Sequence, residues 1–227
     1  MRGKTFETKN NLNLVILLQF TAAANRIIHS LLAQVNGNSF YGVDYLLRPM
    51  VELFINYKYI KEDSTGMRSR AFLADDIRSR LANLRRLIRI HEQNKTPGTD
   101  AIAEAIRKSD LVNVLVKERI KLTEKYGAGN LIFHNLEERA RLSSNSEMYS
   151  TVYWLLCQDT HVTARGLDRH MKLDNNQLSV TWDLDLERFN KTLQSFYIIF
   201  SAMLVECSQN FGIPDQKELD KFEDIPL

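Results

Sequence analysis

Glycine and proline are scarce in this chain, with nine and four among 227 residues. So few turn-formers argue against a turn-rich all-β fold and favour long uninterrupted helices. Charge of one sign is lacking too: 30 Lys and Arg stand against 28 Asp and Glu, a formal net charge of +2. Such a balance exerts no bulk pull toward nucleic acid or membrane. Only two cysteines occur, Cys157 and Cys207, fifty residues apart and both in apolar runs. They make neither a disulfide framework nor a zinc motif, so reduced buried thiols are expected. No apolar run reaches the roughly 18 residues of a transmembrane helix. The N-terminus starts basic and turns apolar, but its unbroken core Leu14–Leu18 is too short for a signal sequence, and Gln19 soon follows. A cytoplasmic protein without membrane contact is the expectation.

What the chain does have is helical periodicity. At 44% hydrophobic residues it can bury a substantial core. The pattern predicts an all-α fold, a single bundle of about six helices over residues 10–211, between a flexible start at 1–9 and an acidic tail at 212–227. A first helix is expected over Asn10–Val35, where Leu14, Leu17, Leu18, Ala22, Ile28, Leu31 and Leu32 recur at three- and four-residue steps. Gly37 would supply a left-handed C-cap and Ser39 the next N-cap. A second helix, Phe40–Asp63, is apolar around most of its circumference and should be central. Pro49 should kink it or delay its start, with Asp44 as the later cap. After Ser64-Thr65-Gly66, a third helix over Met67–Gln93 has Leu73, Ile77, Leu81, Leu84 and Ile88 as its inward stripe. Its other face carries Arg68, Arg70, Arg78, Arg80, Arg85, Arg86 and Arg89, opposed by Asp75, Asp76 and Glu92. Lys95–Thr99 reads as a turn, and Asp100–Tyr126 as a peripheral fourth helix. A short helix fits Asn135–Leu142. Ser146–Met171 reads as seven turns of one helix capped by Ser146. Lys172–Asp183 has the only β-like composition, and Leu184–Asn210 is the last helix.

Two stretches draw attention for chemistry. In the Ser146–Met171 helix, Cys157, His161 and Arg165 are four apart and share a face, with Tyr149, Tyr153 and Trp154 just before them. In the second helix Arg48 and Glu52 are neighbours by the same rule, and Tyr41, Tyr45 and Tyr59 fall on their side. Apolar residues above and below favour partial burial of that pair, which then needs further partners; His161, Tyr149 and Tyr153 are candidates.

RPMVELFINYKYI at Arg48–Ile60, followed by MYSTVYWLLCQDTH at Met148–His161, resembles the domain-of-unknown-function family 5677. The resemblance implies a bacterial all-helical protein with an early R-x-x-x-E helix. It also implies a later helix with a Y-x-x-x-Y run and a histidine about eight residues beyond. Where the family pattern often has serine one turn before that histidine, this chain has Cys157. By the same resemblance Arg48, Glu52, Tyr153 and His161 meet around one internal polar site. It brings no established reaction.

Three chemistries bear on such a site. A ribonuclease of the HEPN-type helical kind uses an Arg followed four to six residues later by His, pairing a phosphate-binding guanidinium with a proton-moving imidazole. Arg165–His170, Arg85–His91 and Arg86–His91 fit that spacing, although seventeen arginines and five histidines give about one such match by chance. A metal centre in a helical bundle needs Glu-x-x-His pairs; none occurs, so no metal and no cofactor is expected. The arginine face of the third helix, lacking interleaved aromatics, suits phosphate-backbone contact more than base reading, with a solvated face as the plainer meaning. His29 and His91 read as hydrogen-bonded residues at the core edge, and Trp154 and Trp182 as packing residues. The expectation is an RNA-cleaving or RNA-binding protein of HEPN-like type, of bacterial defence or stress response. There Arg48 and Arg165 bind phosphate, Glu52 orients a partner and His161 is acid or base. The alternative is a non-catalytic interaction module, for a protein partner or a second copy, whose Arg48–Glu52–His161 cluster fixes helix packing.

Overall fold

The structure, a computed structural model, describes residues 11–37, 43–94, 104–106, 109–154, 156–157, 171–174, 177–180 and 186–211. The fold is all-α apart from one small hairpin, as the composition predicts. The chain separates into two compact units. One combines the residues up to Glu62 with those from Leu136 on; the other is Asp63–Asn135.

In the first unit α1 (Leu12–Asn36) and α2 (Val43–Lys61) pack on each other and on the last helix. Asn11 caps α1 by accepting the Leu14 N–H at 3.3 Å. By length and composition α1 could cross a membrane, but Ile16, Leu17, Phe20, Ala24 and Leu31 are buried, the pattern of a core helix too. The left-handed cap expected at Gly37 does not form. Its φ is −84°, and its N–H reaches the Ala33 carbonyl at 3.0 Å, so an ordinary α-turn closes the helix.

α2 is central, as its all-round apolarity predicts: Val43, Met50, Val51, Ile55, Tyr57 and Ile60 are fully buried. The late start expected from Pro49 is corrected, because the helix already runs from Val43 through it. The proline costs about 3 kcal/mol. Burying Val43 and Leu47 on its near side offsets this at roughly 1.5–3 kcal/mol each.

α5 (Leu136–Leu142) follows in this unit and is tied to α2 by a hydrogen bond from Arg139 to Asn56. The single helix expected over Ser146–Met171 is also corrected. A turn of α6 (Ser146–Met148) passes into a π-helical turn, Tyr149–Tyr153, and Met171 already belongs to a strand. The cap residue is Asn145 rather than Ser146. β1 (Met171–Asp174) and β2 (Gln177–Val180) pair antiparallel with Asp174 opposite Gln177, in the stretch of β-like composition. The closing helix, α7 (Leu186–Phe211), buries Thr192, Phe196, Ile199, Met203 and Cys207, one stripe at three- and four-residue steps. Its Glu206 accepts from Lys58 Nζ at 2.7 Å and meets Lys61 Nζ at 3.1 Å, joining α7 to α2.

The second unit is built on α3 (Met67–Asn94) and α4 (Leu111–Tyr126), which meet through Ile77, Leu81 and Leu115. Asp63 receives the Arg68 and Thr65 N–H groups at 2.6 and 2.9 Å and so caps the start of α3. The helix expected over Asp100–Tyr126 is broken: Asp110 has φ +52°, and α4 starts after it. The break is local side-chain chemistry. Ser109 Oγ donates to the Ile106 carbonyl at 2.8 Å and accepts the Leu111 N–H at 3.4 Å, and Asp tolerates the left-handed region better than most residues. The turn expected at Lys95–Thr99 lies outside the described residues.

Candidate functional site

Helical spacing puts Arg48 and Glu52 one turn apart on α2, on the flank of its buried Leu47–Val51–Ile55 face. Arg48 Nε donates to Glu52 Oε1 at 3.2 Å. The π-helical turn then brings a third group from about a hundred residues away. Tyr153 donates its hydroxyl to Glu52 Oε1 at 2.8 Å and accepts from Arg48 Nη2 at 3.4 Å. The guanidinium also lies over the Tyr153 ring, 5.5 Å from its centroid, a cation–π distance. Tyr149 stacks on Tyr153 with centroids 5.2 Å apart and planes 21° apart. The cluster is half-open: the Arg48 and Glu52 side chains are 28% and 39% exposed.

Electrostatics follow from that geometry. Burial, then the hydrogen bond to Glu52, pushes the Tyr153 phenol far above its usual range, so it is a neutral donor at any physiological pH. Burial alone would weaken the Arg48 proton; the bonds to Tyr153 and Glu52 outweigh it and raise the guanidinium further. Burial also raises Tyr149, helped by the nearby carboxylate of Glu137. Cys157 is half-buried beside the cluster, within hydrogen-bonding reach of Tyr153. The arrangement therefore offers a permanent cation, a carboxylate, a neutral phenol donor and a stacked aromatic pair.

Of the five candidates, the structure brings Arg48, Glu52 and Tyr153 together. His161 and Arg165, with the expected contact of His161 to Arg48 or Glu52, lie outside the described residues; so do His170 and the His91 side chain. Tyr45 is 46% exposed whereas Tyr59 is buried, so the expected tyrosine side of α2 is not one surface. Trp154, expected to pack, is 51% exposed beside the cluster, and His29 is exposed rather than at the core edge. Sequence reasoning missed the π-helical turn. Its only signal was two tyrosines four apart in a segment of weak helix formers, Ser-Thr-Val.

A model of a family of unknown function, DUF5677, matches residues 14–178, a span holding both halves of the cluster. The chain belongs to that family. No curated protein and no solved structure matches it. Family membership thus covers the R-x-x-x-E and Y-x-x-x-Y segments together and assigns them no reaction.

Proposed function

We propose that this DUF5677 protein binds RNA at the Arg48–Glu52–Tyr153 cluster and cleaves it, as a HEPN-like ribonuclease of bacterial defence or stress systems acting in the cytoplasm. The carrying observation is the half-open Arg–Glu–Tyr triad, whose tyrosine comes from a π-helical turn, backbone that recurs at functional sites. In this reading Arg48 and Arg165 hold a phosphate, Glu52 orients its partner, and His161 moves the proton. Tyr153 positions Arg48 and Glu52 from the neutral side. The reaction needs no metal, because the imidazole supplies acid–base catalysis and the guanidinia balance charge at phosphorus.

The test is incubation of purified protein with single-stranded RNA at low and moderate salt. Wild type is expected to cleave. His161→Ala should lower the rate by about 100-fold or more with thermal stability nearly unchanged, the size of a lost general acid or base.

A second reading has its own support. The triad groups satisfy one another, and α7 exposes Leu186 and Ile198 to 66% and 64%. A helical interaction module, with the cluster fixing helix packing, would look the same. It prevails if wild type cleaves nothing and Glu52→Ala or His161→Ala merely lowers the melting temperature.

A further inference from the structure

The even net charge of the chain hides a partition. Asp63–Asn135 holds 14 Lys and Arg against 9 Asp and Glu, a formal +5, while the rest holds 16 against 19, a formal −3. Within that unit the charge concentrates on α3, whose 28 residues carry seven arginines and no lysine. Helical geometry sorts them. Arg78, Arg85 and Arg89, seven and four residues apart, form one stripe roughly 17 Å long with Arg86 beside it. This stripe flanks the Ile77–Leu81 face that packs on Leu115 and points to solvent: all four arginines are exposed, Arg78 by 72%. Arg78 pairs with Asp75, and Arg80, on the opposite side, pairs with Asp76. Among the described residues Arg85, Arg86 and Arg89 have no carboxylate partner.

We propose that the Arg78–Arg85–Arg86–Arg89 stripe of α3 is a second binding surface that grips the phosphate backbone of RNA without reading its sequence. Exposed arginines held without acidic partners repel one another, and a polyphosphate relieves that repulsion while releasing its own counterions. Guanidinium suits phosphate because its planar fork donates two parallel hydrogen bonds. No Phe, Tyr or Trp occurs between Arg78 and Gln93, so the stripe has nothing on which bases could stack. Nor does it hold a large apolar residue to enter a bilayer: Leu87, 46% exposed, sits on the other side of the helix. The choice of RNA among polyanions rests on the function proposed above; the phosphate-gripping surface does not.

The measurement is equilibrium binding of the full chain to a labelled mixed-sequence RNA of about 20 nucleotides. The three unpaired arginines should contribute about 20-fold to the fall in affinity between about 50 and 200 mM salt. Arg85→Gln/Arg86→Gln/Arg89→Gln should lose at least about 10-fold in affinity at the lower salt, and most of that salt dependence. The Arg→Lys triple keeps the charge and should keep the salt dependence. The inference is overturned if wild type does not bind, if the Gln triple binds as well as wild type, or if the Lys triple loses the salt dependence alongside the Gln triple. It is also overturned, in favour of a membrane surface, if vesicles of phosphatidylserine and phosphatidylcholine bind the chain more tightly than RNA. Cleavage by wild type with undiminished binding by the Gln triple would sink this inference and leave the ribonuclease standing. Binding lost in the Gln triple without any cleavage by wild type would do the reverse.

Discussion

Tyr153 satisfies two charged groups with one oxygen, donating to Glu52 and accepting from Arg48. Tyr153→Phe keeps the ring over the guanidinium and the stack on Tyr149 but deletes both bonds. The expected cost is about 1 kcal/mol by denaturant melts, at the low end for charged partners because the cluster is half-open. The phenol also sets a pH dependence. Its folded-state pKa lies above the usual 10.0, so below pH 10 its contribution is fully present, and it is lost as pH rises beyond that. Wild type should therefore lose more stability than Tyr153→Phe between neutral and strongly alkaline pH; identical alkaline profiles would refute the assignment. Arg48 and Glu52 were legible in sequence because four-residue spacing makes neighbours on any helix. Their meeting with Tyr153 was less so, since no local rule links residues so far apart: partial burial called for a further partner and left Tyr153 one of three candidates, which the family pattern placed at the site. The exposure of Trp154 and His29 was illegible for a related reason: amphipathic residues look alike inside and at the rim of a core.

At the scale of elements, the start of α3 is secured by Asp63, with the Thr65 hydroxyl accepting the Met67 N–H at 3.2 Å beside it. Asp63 accepts from the N–H groups of Thr65 and Arg68 and from the Thr65 hydroxyl at 2.6 Å. Burial would raise its carboxyl, but those hydrogen bonds outweigh it and hold the pKa below the usual 3.8. Asp63→Ala should cost about 1 kcal/mol, as lost caps do. By linkage the wild-type advantage is present above pH 4 and fades as pH falls below it, which acid melts of the two proteins would show. Long periodic helices were readable to within a residue or two, α3 and α7 among them. Irregularities inside helical text were not. Ser109 and Asp110 fit a helix by spacing, yet Ser109 bonds neighbouring backbone and Asp110 takes the left-handed region. The residues of the π-helical turn keep helical periodicity while changing the hydrogen-bond ladder beneath it.

For the whole molecule, apolar periodicity predicts helices but not which helices share a core. The first unit buries most of the large apolar side chains, whereas the core of the second centres on Ile77, Leu81 and Leu115. Opening free energy follows buried apolar contact, so amides of α4 should exchange faster than those of α2 in native-state hydrogen exchange. Equal protection of the two helices would mean that the units open together. Helix content was legible because it depends on composition and spacing; the division into units depends on which faces meet.

The π-helical turn has a consequence for how this chain tolerates change in length. A wide turn holds one residue more than the α-ladder needs. Removing one of Ser150, Thr151 or Val152 would let the segment relax into a regular and more stable helix. Because the wider turn absorbs the extra residue, the same deletion would keep Tyr149 and Tyr153 on one face, now three apart on the α-ladder. A deletion in a regular α-helix instead turns every later residue by about 100°. This segment should therefore tolerate the loss of one residue better than α2 or α3 would.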